Sequence, residues 1–119
     1  MNVEKLKEVI KHREYVDEIS QSEWDEEIEK CQKLVTEILA EDITSTIEYL
    51  NNNCMANEYV YISEVIDDVV DKVPSREFLE AFKKLKDKFP KEFSEYNIVG
   101  SIQCAENILK WEEEHGKKD

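Results

Sequence analysis

Apolar residues recur along this chain at steps of three and four almost from end to end, and that spacing predicts helix throughout. The fullest case is 58–73, EYVYISEVIDDVVDKV. There Tyr59, Ile62, Ile66, Val69 and Val73 fall on one side of a continuous helix, and Val65 and Val70 widen the stripe. Glu64, Asp67, Asp68 and Asp71 fall on the other side, with Tyr61 one turn earlier, Glu58 opening the stretch and Lys72 as its only cation. The pattern predicts one helix that buries an apolar side and holds carboxylates out to solvent. Residues 59–62 are aromatic and β-branched enough for a strand, but their apolar positions do not alternate and no partner strand is evident.

The flanking segments read the same way. Asn2 can cap a first helix to about residue 19, with Val3, Leu6, Ile10 and Val16 on one side and His12 paired to Glu8 one turn back. The pattern breaks at 20–22. Ser22 then opens a second helix, with Asp25 in a shortened capping box and Glu23, Asp25, Glu26 and Glu27 complementing the positive end of its dipole. Trp24, Ile28, Cys31, Val35 and Ile38 form its core seam. Asp42 caps a third helix with Ile43, Ile47 and Leu50 inward, ended by Asn51, Asn52 and Asn53; Asn57 caps the central stretch. Pro74 ends that stretch and Ser75 caps the next helix, cored by Phe78, Leu79, Phe82, Leu85 and Phe89. Pro90 restarts a short turn around Phe93 and Tyr96. Asn97 opens a last helix with Ile98, Ile102, Ala105, Leu109 and Trp111 inward, which Gly116 stops before a frayed end.

Composition supports this reading. Two Gly and two Pro in 119 residues are too few for a sheet and its tight turns. The expectation is an all-α fold, a single domain spanning 1–119, built as a helical bundle or a short HEAT-like stack of about five to six helices. Cys31, Cys54 and Cys104 are odd in number, with no C-x-x-C, so they read as reduced and mostly buried thiols. With no apolar leader and no membrane-length run, the expected compartment is the cytoplasm.

Charge changes the picture more. The net charge is −13, which disfavours direct nucleic-acid or anionic-membrane binding. It is also one-sided. Residues 1–19 carry a net −1, 20–57 a net −7, 58–73 a net −4, 74–96 a net +1 and 97–119 a net −2. Dipole complementation accounts for residues 23–27. On one continuous helix over 58–73 it cannot account for Asp67, Asp68 and Asp71, which would stand in the middle and final turns, where carboxylates repel the helix end. Like-charge pairs at i,i+4 there cost a few tenths of a kcal/mol each, roughly, and such a local violation points to a functional surface.

Catalytic motifs are missing from the sequence. Gly100 and Gly116 stand alone, so there is no phosphate loop, and no G-x-S-x-G, H-E-x-x-H or calcium-loop spacing occurs. His12 and His115 lie near the two termini. The expectations are no enzyme, no catalytic residues, no cofactor and no metal, with Glu58, Tyr61, Glu64, Asp67, Asp68 and Asp71 as a partner-binding face, helped by acids of the second and third helices.

The segment at 59–107, YVYISEVIDDVVDKVPSREFLEAFKKLKDKFPKEFSEYNIVGSIQCAEN, resembles small acidic helical immunity proteins encoded beside bacterial polymorphic or contact-dependent toxins. The likeness lies in the ISEVIDD-type helix, the Pro-Ser start and the later aromatic-rich helix. It implies a stoichiometric toxin inhibitor without a cofactor, whose partner is a cognate toxin, a basic nuclease domain. It transfers no residue-level roles. Two rival readings use the same charge differently: an acidic nucleic-acid mimic of the anti-restriction or anti-CRISPR kind, and a helical adaptor whose acidity is incidental.

Overall fold

In the computed structural model, residues 1–20 and 24–115 are described, and the pattern resolves into eight helices. They are α1 (Val3–Ser20), α2 (Asp25–Glu41), α3 (Ile43–Asn52), α4 (Ala56–Ser63), α5 (Ile66–Lys72), α6 (Arg76–Lys88), α7 (Pro90–Glu95) and α8 (Ile98–His115). The fold is all-α, with two or three more helices than the spacing predicts. The stretch 58–73 is split in two, and the turn after Pro90 is a helix of its own.

Local chemistry starts three of these elements where the sequence places them. Asn2 Oδ1 accepts from Lys5 N at 3.1 Å, Asp42 Oδ1 from Ser45 N at 3.4 Å, and Ser75 Oγ from Phe78 N at 3.1 Å. Asn97 precedes α8 with φ 51°, the left-handed region that Asn tolerates better than most residues. The predicted cap at Asn57 is displaced: the helix begins at Ala56, and Met55 holds the capping position. The caps expected at Ser22 and the stop at Gly116 lie outside the described residues.

α1 and α2 form an antiparallel hairpin. α5 packs against α8 and α2, α3 against α6, and α4 against α1, α7 and α8. Contacts between helices this far apart in the chain make a bundle, not a HEAT-like stack, in which each repeat would touch only its neighbours. One continuous cluster of buried side chains runs through seven of the eight helices, α7 adding only the partly buried Phe93. Tyr59, Phe78 and Phe82 are its largest fully buried members, and Tyr59 lies 5.1 Å from Phe82 and 5.4 Å from Phe89, ring centre to ring centre. Burying aliphatic or aromatic side chains of this kind contributes about 1.5–3 kcal/mol each.

Two tryptophans depart from the predicted core. Trp111 is 57 % exposed, because two residues beyond Leu109 is about 200° round the helix from the buried stripe. It stacks instead on His115, with ring centres 4.3 Å apart. Trp24 keeps the seam register of Cys31, Val35 and Ile38 but precedes the first residue of α2, and it is 43 % exposed. Cys31 and Cys54 are buried, whereas Cys104 is exposed. His12 does not pair with Glu8; its Nε2 meets Glu27 Oε2 on α2 at 2.9 Å.

Candidate functional site

The predicted helix over 58–73 breaks at Glu64 and Val65. Glu64 N donates to Tyr61 O and Val65 N to Ile62 O, the tighter i→i−3 pattern, and a new helix starts at Ile66. Sequence and packing both favour the break. Ser63, Val65 and Ile66 are weak helix formers, and a break lets each half turn its own apolar stripe inward. Tyr59 and Ile62 on one side, and Val65, Ile66, Val69 and Val70 on the other, all reach 0 % exposure.

This overturns the dipole reasoning about the acids. Asp67 and Asp68 stand in the first turn of α5, where the positive end of the helix favours carboxylates. Asp67 Oδ1 also accepts from Asp68 N at 3.0 Å, and its other oxygen lies 3.8 Å from Cys104 Sγ on α8. Their placement therefore has a local structural cause. Only Asp71 stands near the unfavourable end.

Three of the six nominated residues are internal fasteners. Glu58 is buried, not on a solvent face. Its carboxylate accepts from Lys7 Nζ at 2.8 Å, Tyr49 Oη at 2.8 Å and Met55 N at 3.0 Å, so it ties α1 and α3 to the start of α4. Hydrogen bonding to this carboxylate raises the Lys7 ammonium above its ordinary value, and burial, then the same contact, raises the Tyr49 hydroxyl. Glu64 is claimed by Arg13, whose Nε and Nη2 donate to its two oxygens at 3.1 and 2.8 Å, with Gln32 Nε2 adding a third bond at 3.2 Å. Tyr61 Oη donates to Asp17 at 3.0 Å, and Arg13 bonds Asp17 while lying 5.2 Å from the Tyr61 ring centre. Burial first, and then the bond to Asp17, push the Tyr61 hydroxyl well above its usual range. Arg13, itself buried, is the hub that joins α1, α2 and α4 at the break. The one hint in the sequence was a cation at a core position: Arg13 follows Leu6, Val9 and Ile10 in helical register.

Asp68 and Asp71 are the nominated residues left exposed, and they make no ion pair among the described residues. They edge a groove of about 640 Å³ between α5 and α2, whose far wall carries Glu26, Glu29 and Glu37. Lys30, Lys33 and Lys72 also line it, so acids outnumber bases by five to three. Desolvation by the groove walls, with Asp67 and Asp71 nearby, raises the Asp68 carboxyl above its ordinary value. Acids of the second helix are expected to help this face, but only the packing of α5 on α2 decides that Glu26, Glu29 and Glu37 stand opposite Asp68 and Asp71. Among the described residues no group of three or more His, Cys, Asp or Glu is placed to hold a metal ion, and no helix is long and apolar enough to cross a membrane.

What the fold and the groove define is a class: a small all-helical protein that presents an acidic cleft between two helices. No family model, no curated protein and no solved structure matches the chain.

Proposed function

We propose that this protein is an immunity-type inhibitor that binds a cognate toxin domain, of the basic nuclease class, through the α2–α5 face. The observation that carries the reading is that Asp68 and Asp71, opposite Glu26, Glu29 and Glu37, make no ion pair among the described residues, on the most acidic part of a chain of net charge −13. Arg13, Lys7 and Arg76 hold carboxylates in ion pairs elsewhere in the fold, whereas none of these five is in one among the described residues, although Lys30, Lys33 and Lys72 line the same groove. Unmatched carboxylates facing one another repel, and a cationic partner relieves that repulsion. They can occupy positions that nucleic-acid phosphates would take on a nuclease. Their field steers encounter, with association rates that reach roughly 10⁸–10⁹ M⁻¹s⁻¹ at low salt in favourable systems. In this reading Asp67 is a half-exposed flank, and Glu58, Glu64 and Tyr61 hold the face in shape from behind.

Co-expression with the C-terminal domain encoded by the adjacent reading frame tests the proposal. The expected result is a stoichiometric complex whose affinity falls with salt. It should be lost in Asp68→Lys/Asp71→Lys without a drop in melting temperature. Binding that survives the double reversal at physiological salt removes this face from the reading. Failure of the wild-type chain to form any complex removes the inhibitor itself, and capture of several unrelated DNA-binding proteins by the same face identifies a nucleic-acid mimic instead.

A further inference from the structure

Charges at the rim of an interface speed and steer association, but tight binding usually needs large side chains that become fully desolvated. The α2–α5 groove offers no such anchor, since Tyr59 is buried and Tyr61 is bound to Asp17. The anchor has to come from nearby. Tyr15 and Ile19, each 53 % exposed, stand four residues apart and so share a face of α1. The His12–Glu27 contact brings that part of α1 alongside the start of α2, and Trp24 is the residue ahead of it. Trp24 is an indole in core register that stays 43 % exposed. Glu18, Asp25 and Glu26 are exposed around this end of the hairpin. The remaining exposed aromatics do not gather in this way. Tyr15 stacks on His12, ring centres 6.1 Å apart, within the patch, whereas Trp111 stacks on His115 at the C-terminal end of α8 and Tyr96 closes the one segment with a positive net charge.

We infer that the Tyr15–Ile19–Trp24 end of the α1–α2 hairpin is the apolar anchor of the interface, and that its occupant is a cationic protein surface with an apolar hollow; this rests on the inhibitor reading above. Charge selects that occupant. A second copy of this chain would bring two acid-rimmed patches together, whereas a basic partner is attracted to the rim while its hollow takes the indole. The anchor governs how long the complex lasts, and the α2–α5 acids govern how fast it forms.

The probe is the C-terminal domain encoded by the adjacent reading frame, with binding rates measured against the whole chain over a range of salt. Tyr15→Ala/Trp24→Ala is expected to weaken binding by roughly 30-fold or more, the effect of losing a hot spot, through faster dissociation and with the salt dependence unchanged. Asp68→Lys/Asp71→Lys should instead act on association, slowing it so far that no complex is left at physiological salt and flattening whatever salt dependence remains. Anchor variants that bind within roughly twofold of wild type overturn the anchor and leave the inhibitor reading standing. No complex with the wild-type chain overturns both. A concentration-dependent dimer abolished by Trp24→Ala gives the patch to a second copy and overturns the anchor. Should the alanine variants lose stability, Trp24 fluorescence in a Trp111→Phe background decides: quenching by acrylamide must fall on complex formation, and unchanged quenching overturns the proposal.

Discussion

The Tyr59 hydroxyl lies in the aromatic centre of the core, 0 % exposed and without a hydrogen-bond partner among the described residues. Burial pushes its pKa up to about 12. The ring earns its place by packing on Phe82 and Phe89, while the oxygen is desolvated for no return. Tyr59→Phe keeps the ring and removes the orphan, so it should raise stability by about 1 kcal/mol in urea unfolding. A loss of stability would mean that the oxygen has a partner in solution. The opposite case is Glu58, whose oxygens have all the partners they need. A carboxylate is an improbable core residue by type, and only the meeting of Lys7, Tyr49 and the Met55 amide around it makes the position tolerable.

At the scale of elements, the break between α4 and α5 decides what the acids of this stretch can do. Arg13 clamps that break through a two-pronged contact to Glu64. Arg13→Met keeps the length of the side chain but takes the cation away from Glu64 and Asp17, which keep only neutral partners such as Gln32 and Tyr61. The expected loss is about 3 kcal/mol, the low end for breaking a buried pair because both carboxylates keep some contact with water. Hydrogen exchange should rise first around residues 61–66. Asp68 gives a second prediction, with a sign fixed by its environment. Its pKa is raised in the folded state, so its charge opposes folding above that pKa, and the opposition fades as pH falls through the folded value and then the unfolded one. Asp68→Asn should therefore melt higher than wild type at neutral pH, with the difference closing in acid. A difference that stays constant with pH would show that the aspartate's charge is not its cause.

For the whole molecule, net charge sets the terms. A chain at −13 repels itself, and screening that repulsion favours the compact state. The local ion pairs act in the other direction, but the most exposed of them contribute little. The melting temperature should rise as sodium chloride is added at neutral pH, and a monotonic fall would show that the Arg13, Lys7 and Arg76 pairs outweigh the repulsion. The same screening should weaken association through the α2–α5 face, so that salt moves stability and binding in opposite directions.

The all-α class, the caps at Asn2, Asp42 and Ser75, and most inward residues of α1 and α6 were legible in the sequence, because helical spacing and capping act over a few neighbouring residues; in α3 only Leu50 of the expected three is fully buried, beside Thr46 and Tyr49. The other decisions were tertiary. Whether 58–73 is one rod or two depends on what α1, α2 and α8 place beside it. Glu58, Glu64 and Tyr61 became fasteners because cations and hydroxyls from distant segments met them, and a helical wheel does not show what stands opposite a face. Trp24 obeys the seam spacing and is still exposed, since register says which way a side chain points and not whether another helix covers it. Spacing determined which residues could be buried together; the packing of segments far apart in the chain decided which charges were left facing water.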